Sequence, residues 1–134
     1  MKKIGCILLV DDDRLSNLLT KSIIDNANCT DNVVRTLSGR AGLKYILYSA
    51  AEPDIIPFPN LIILDILMPE FSGHDFLDSY NEMKFSFPIK PVVVVLTTST
   101  YIKDSLTSDN VTKIYNKPLT DHGFKSILDT FFSN

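Results

Sequence analysis

Glycine is scarce, and its five copies nowhere form the spaced cluster that cradles a nucleotide; no dinucleotide-binding or P-loop pattern occurs. Only two cysteines are present, Cys6 and Cys29, without metal-ligand spacing. They read as buried thiols of a reducing compartment rather than as a disulfide frame or zinc site. Lysine and arginine form no phosphate-tracking stripe, and a net charge of −3 is too small to attract or exclude nucleic acid across the surface. No nucleic-acid partner is expected. Long hydrophobic runs are also missing: Ile7 to Val10 and Leu61 to Leu64 are strand-length, far below the ~20 residues that cross a bilayer. The N-terminus begins like a signal peptide, but its apolar stretch stops at Asp11, the first of three aspartates. A cytoplasmic protein without membrane contact is expected. The 45% hydrophobic and 22% charged residues suit one globular domain of 134 residues.

Strand-length apolar runs alternate with helix-period segments along the chain. Ile4 to Val10 is nearly continuous, as in a central parallel strand covered on both faces. Leu15, Leu18, Leu19, Ile23 and Ala27 recur at steps of three and four, which predicts one helical stripe. Asn32 to Leu37 reads as a second strand, and Ser38-Gly39 precedes a helix striped by Leu43, Ile46, Leu47 and Ala50. Pro53, Pro57 and Pro59 make Glu52 to Asn60 a loop. Ser49 to Asn60 is longer than a compact connection needs and reads as a tolerated insertion, with a partner contact as the alternative. Leu61 to Ile66 is the third strand, followed by a helix striped by Phe76, Leu77, Tyr80 and Met83. Val92 to Leu96 is the fourth strand, a weak pattern around Ile102 and Leu106 marks a fourth helix, and Val111 to Asn116 is the fifth strand. Thr120 caps a last helix striped by Phe124, Ile127, Leu128 and Phe131. Five β–α units imply an α/β, doubly wound, flavodoxin-like parallel sheet of order 2-1-3-4-5 with helices on both faces. Its ligand site lies beyond the carboxyl ends of strands one and three.

Polar residues stand where the apolar runs stop. Asp11, Asp12 and Asp13 follow strand one, Asp65 closes strand three, Thr97 follows strand four and Lys117 follows strand five. Asp13 reads equally well as a helix cap. Carboxylates gathered at one sheet edge repel one another unless a cation lies between them, and oxygen-only ligands suit a hard ion such as magnesium. Extended backbone sends Asp11 and Asp12 to opposite sides, so the chain must turn by Asp12 if both are to face the ion.

In these residues the sequence resembles the receiver domain of two-component response regulators, a chemotaxis-regulator-like family. Leu8-Leu9-Val10-Asp11-Asp12-Asp13 is similar to its acidic first-strand motif, and Leu64-Asp65-Ile66-Leu67-Met68-Pro69 with Ser72-Gly73 to its phosphoacceptor strand and following loop. Val95-Leu96-Thr97-Thr98-Ser99 resembles its switch-hydroxyl motif, and Asn116-Lys117-Pro118-Leu119 its lysine-proline motif. The resemblance implies that Asp65 accepts a phosphoryl group from a sensor histidine kinase or phosphotransfer protein. It implies Mg²⁺ on Asp12, Asp65 and the backbone carbonyl of Leu67, with Asp11 acting through a coordinated water. Lys117 would pair with the phosphoryl oxygens and the Thr97 hydroxyl would hydrogen-bond them. The Lys117-Pro118 bond is one where cis is cheap, and family members hold it cis. The reading is of a single receiver domain over residues 1–134 with no output domain. Such a chain is no turnover enzyme: it catalyses its own phosphorylation and dephosphorylation, and it signals by protein contact or phosphorelay.

Departures from the family pattern bear on switching. Ile114 stands where many receivers carry an aromatic residue that moves on phosphorylation, while Tyr115 points to the other face of a regular strand. Leu67 is apolar where a polar side chain is common. His74, with only His122 as a second histidine, reads as solvated. The rival readings are a constitutive receiver-like binding module and a Mg²⁺-dependent phosphohydrolase of the haloacid-dehalogenase type. The latter wants a second carboxylate two residues after its nucleophile, where this chain has Leu67. A flavodoxin-like flavin carrier needs a donor-rich phosphate loop, whereas this loop reads Asp-Asp-Asp-Arg.

Overall fold

Which backbone faces bury apolar side chains decides where the polar strand ends gather. In a computed structural model, residues 3–68, 70–98 and 113–133 are described. They form β1 (Ile7–Val10), α1 (Arg14–Ala27), β2 (Val33–Thr36), α2 (Gly39–Ala51), β3 (Leu61–Asp65), α3 (Gly73–Met83), a 3-10 turn (Lys84–Ser86), β4 (Val92–Thr97), β5 (Lys113–Asn116) and α4 (Asp121–Phe131). The helix expected around Ile102 and Leu106, and the first residues of the expected fifth strand, lie outside the described residues.

The five strands are parallel in the order β2-β1-β3-β4-β5, as the alternation of elements implies. Side chains of period two divide the core. Ile7, Leu9, Leu61, Ile63, Val94 and Leu96 face Ile24 of α1 and Phe124, Ile127 and Leu128 of α4. Leu8, Val10, Ile62, Leu64, Val93 and Val95 face Ile46 of α2 and Phe76, Leu77 and Tyr80 of α3. Register then aligns the carboxyl ends: Val10 pairs with Thr36 and Leu64, Asp65 with Leu96, and Thr97 with Asn116.

Helix α1 departs from its apolar pattern. It buries Asn17, Thr20 and Ile24, while Leu15, Leu18 and Leu19 are 62%, 53% and 53% exposed. Asn17 is drawn inward because its amide satisfies backbone carbonyls at the strand ends, and the helix phase follows from that anchor. Asn28 ends the helix in the left-handed region at φ 51°. In α2 the buried positions are Gly39, Gly42, Ile46 and Ser49, and Leu47 faces out.

Helix α2 runs to Ala51 and β3 begins at Leu61, so the loop is Glu52 to Asn60 as the prolines predict, and residues 49–51 of the longer segment are helical. The loop is anchored as well. Phe58 and Pro59 are buried, the Phe58 and Phe87 rings lie 5.2 Å apart, and the Tyr45 hydroxyl donates to the Pro57 carbonyl. Asn60 Oδ1 accepts the Cys6 N–H at 3.0 Å. Both cysteines are free and buried, and burial pushes their thiols up, in keeping with inert core residues. Among the described residues no helix is long and apolar enough to cross a membrane.

Candidate functional site

Strand β1 delivers Asp11 to the edge, where its N–H still donates to the Thr36 carbonyl. The chain then turns. Asp11 Oδ1 accepts the Asp13 N–H at 3.0 Å, and Asp13 caps α1 by accepting the Leu15 N–H at 3.0 Å. Because the turn starts immediately after Asp11, Asp11 and Asp12 do not diverge as extended residues would. One carboxylate oxygen from each of Asp11, Asp12 and Asp65 lies within 4.8 Å of the others. Asp11 and Asp65 are buried, and Asp12 is exposed. Gly73 lets α3 start against the segment after Asp65: a Cβ there would lie 2.6 Å from Ile66 Cα.

Lys117 reaches this cluster from the end of β5. Its Nζ lies 2.8 Å from Asp11 Oδ2 and 3.4 Å from Asp65 Oδ2, and its N–H donates to the Thr97 carbonyl at 3.1 Å. The Lys117-Pro118 bond is cis. Thr97 is wholly buried at the end of β4. Leu67 follows Asp65 by two residues, its N–H directed at Asp65 Oδ1 at 3.4 Å.

Two participants were absent from the sequence reading. Ser16 Oγ donates to Asp11 Oδ2 at 2.7 Å, so that oxygen receives both a hydroxyl and an ammonium. Asn17 Nδ2 donates to the carbonyls of Asp11 and Thr36, both at 3.0 Å, tying α1 to β1 and β2. Their only signal was polarity one turn into a helix, which ordinarily means solvent. Ile114 packs on the α2–α3 side of the sheet and Tyr115 on the α1–α4 side, the alternation expected of a regular strand. His74 and His122 are exposed.

Among the described residues the three carboxylates meet one ammonium, which contacts Asp11 and Asp65; this is an excess of negative charge with oxygen donors only, and it fits a hard divalent cation. Burial raises the Asp65 carboxyl from its ordinary 3.8 to about 6; Lys117 opposes the rise and Asp11 adds to it. A carboxyl whose folded value is raised favours folding fully below 3.8, and that contribution is lost as pH climbs through about 6. In chelator, the stability of Asp65→Asn relative to the natural protein is therefore expected to increase from about pH 4 to about pH 7. Urea midpoints at both values check this, and a constant difference would contradict it.

An acidic triad and a lysine at the carboxyl edge of a 2-1-3-4-5 sheet are the arrangement the sequence resemblance leads one to expect of a signalling receiver domain. The chain matches the response regulator receiver domain over residues 7–127 and belongs to that family. It is 28% identical over 127 residues to the probable methanogenesis regulatory protein FilR2 of Methanothrix harundinacea, covering 92% of this chain and 78% of that protein. It is 27% identical over 100 residues to the response regulator Rcp1 of Synechocystis, covering 75% of this chain and 65% of Rcp1. The crystal structure of a two component response regulator from Cytophaga hutchinsonii superposes with a TM-score of 0.83 at 26% identity, covering 96% of each chain.

Proposed function

We propose that this receiver domain accepts a phosphoryl group on Asp65 from a phosphohistidine of a sensor histidine kinase or phosphotransfer protein, in the cytoplasm, as one domain over its 134 residues. The observation that carries the reading is Lys117 Nζ bridging Asp11 and Asp65 inside the carboxylate cluster. An Asp65 oxygen forms the new P–O bond while the donor's P–N bond breaks, and the departing imidazole takes a proton from solvent. Lys117 shifts from the Asp65 oxygen to the phosphoryl oxygens, and the Thr97 hydroxyl becomes their hydrogen-bond donor. Asp12, Asp65 and the Leu67 carbonyl, with Asp11 through a water, would hold magnesium, which would supply charge neutralisation for an anionic group entering an anionic cleft. The receiver domain of the histidine kinase CKI1 from Arabidopsis thaliana, whose structure is complexed with Mg²⁺, shares the fold at a TM-score of 0.79.

Intact mass after incubation with a small phosphodonor tests the reading. A gain of one phosphoryl group with Mg²⁺ and none with chelator is expected. No gain in either would favour a constitutive binding module. Rapid hydrolysis of an unactivated phosphate monoester, which is no phosphodonor to a receiver, would favour a phosphohydrolase.

The exposed face of α1 supports a docking route for that partner. Leu15, Leu18 and Leu19 form one exposed apolar face at helical spacing, beginning two residues after the Asp13 cap beside the acidic cluster. A protein that brings a phosphohistidine to Asp65 must cover the start of this helix, and burying a leucine contributes ~1.5–3 kcal/mol. Leu18→Asp is expected to slow transfer from the protein donor by about 10-fold or more. It should leave transfer from a small phosphodonor unchanged. Equal slowing with both donors would place the effect in the domain itself rather than in docking.

A further inference from the structure

Beside β1, on the flank occupied by β2, a cavity of about 180 Å³ opens between α1 and the end of β2, lined by Arg14, Asn17, Arg35 and Leu37. None of these residues belongs to the Asp11–Asp12–Asp65 cluster. Among the described residues, neither guanidinium has a carboxylate or other hydrogen-bond partner, although acidic residues are close in sequence to Arg14. Asn17 is 2% exposed, and its Nδ2 hydrogens are both used on the carbonyls of Asp11 and Thr36. Its Oδ1 has no partner among the described residues and stays accessible where Asn17 lines the cavity. An amide oxygen open to the cavity, on a side chain otherwise fixed by two hydrogen bonds, is a preset acceptor for a donor that arrives there.

Two guanidinium groups alone would suit any anion. The amide oxygen adds a requirement: the ligand must carry acceptor oxygens and an O–H. Phosphate with one oxygen protonated meets both needs, whereas sulfate and carboxylate carry no proton near neutral pH. The cavity is smaller than the ~300–1,000 Å³ of sites for drug-sized ligands, so it accommodates a tetrahedral oxyanion rather than a whole nucleotide. We propose that this cavity binds inorganic phosphate or the terminal phosphate of a small monoester, its unprotonated oxygens on Arg14 and Arg35 and its P–OH donated to Asn17 Oδ1. A hydrogen bond received at Oδ1 polarises the amide and strengthens its hold on the Asp11 and Thr36 carbonyls. The proposal stands whether or not Asp65 is phosphorylated.

The test is NMR titration of the full chain in chelator at about pH 6, where phosphate retains a proton. Inorganic phosphate, methyl phosphate and sulfate are compared at equal ionic strength. Phosphate is expected to shift the side-chain amide of Asn17 and the Nε–H signals of Arg14 and Arg35, and to bind about 5-fold or more tightly than sulfate. Arg35→Gln, a change at an exposed position, is expected to weaken it by about 10-fold, while Lys117→Gln leaves it unaltered. Equal binding of methyl phosphate identifies a terminal phosphate as the ligand, and binding of phosphate alone identifies the free ion. Unchanged affinity in Arg35→Gln, loss only in Lys117→Gln, or equal affinity for sulfate would each overturn the proposal.

Discussion

Asp12→Ala is expected to lower magnesium affinity by about 100-fold or more while leaving the metal-free protein folded and slightly more stable. Asp12 is exposed and makes no hydrogen bond among the described residues, so its removal orphans nothing. It does relieve repulsion from Asp11 and Asp65, whose oxygens lie within 4.8 Å. For an exposed carboxylate this repulsion is worth about 1 kcal/mol or less, a rise in melting temperature of up to about 5 °C. Asp11→Ala should behave oppositely in chelator. It removes the acceptor of Ser16, the Asp13 N–H and Lys117 together, leaving a half-buried ammonium with only the longer Asp65 contact. Magnesium titrations and thermal melts of both variants separate the roles. Unchanged magnesium affinity in Asp12→Ala would place the ion elsewhere.

The second large effect concerns how long an aspartyl phosphate survives. Its hydrolysis needs a water in line with the acyl phosphate, and the residue two beyond the nucleophile borders that approach. Leu67 holds its backbone N–H toward Asp65 and leaves its side chain half-exposed at the mouth, where it offers water no hydrogen bond. Leu67→Asn supplies a donor and an acceptor at that position. One positioned hydrogen bond to the attacking water lowers the barrier by ~1–3 kcal/mol, so autodephosphorylation is expected to accelerate by about one to two powers of ten. Magnesium affinity should barely move, since only the backbone carbonyl of residue 67 is assigned to the ion. Decay of the phosphorylated variant at the natural rate, or more slowly, would show that this position does not set the lifetime.

Strand positions were legible because both faces of a doubly wound sheet are covered: continuous runs such as Leu61 to Leu64 have no other stable setting. The strand order followed from alternation, and the edge residues from the points where those runs break. Helix α1 stands where its period predicts, but its buried face differs for a physical reason. Its buried face carries Asn17 and Thr20, while its leucines remain at the surface, so hydrophobic period and burial disagree. The cause is the same amide bridge to Asp11 and Thr36 that sequence patterning cannot reveal, since it depends on two carbonyls brought together only by parallel pairing of β1 and β2. The resting partner of Lys117 was hidden likewise. The lysine's role toward a phosphoryl group was implied by resemblance, but its closer ion pair with Asp11 depends on the relative height of β1 and β5. In the site, the residue types were readable from the chain, and their distances were not.

Locating the phosphoryl group tests the central claim most directly. The protein is treated with magnesium and a small phosphodonor, then with borohydride, which reduces an aspartyl phosphate to homoserine, and the residue is placed by peptide mass. Homoserine at position 65 alone, with no phosphoryl gain in Asp65→Asn, is the result expected. Homoserine at Asp11 or Asp12 with Asp65 intact, or equal phosphorylation of Asp65→Asn, would contradict it.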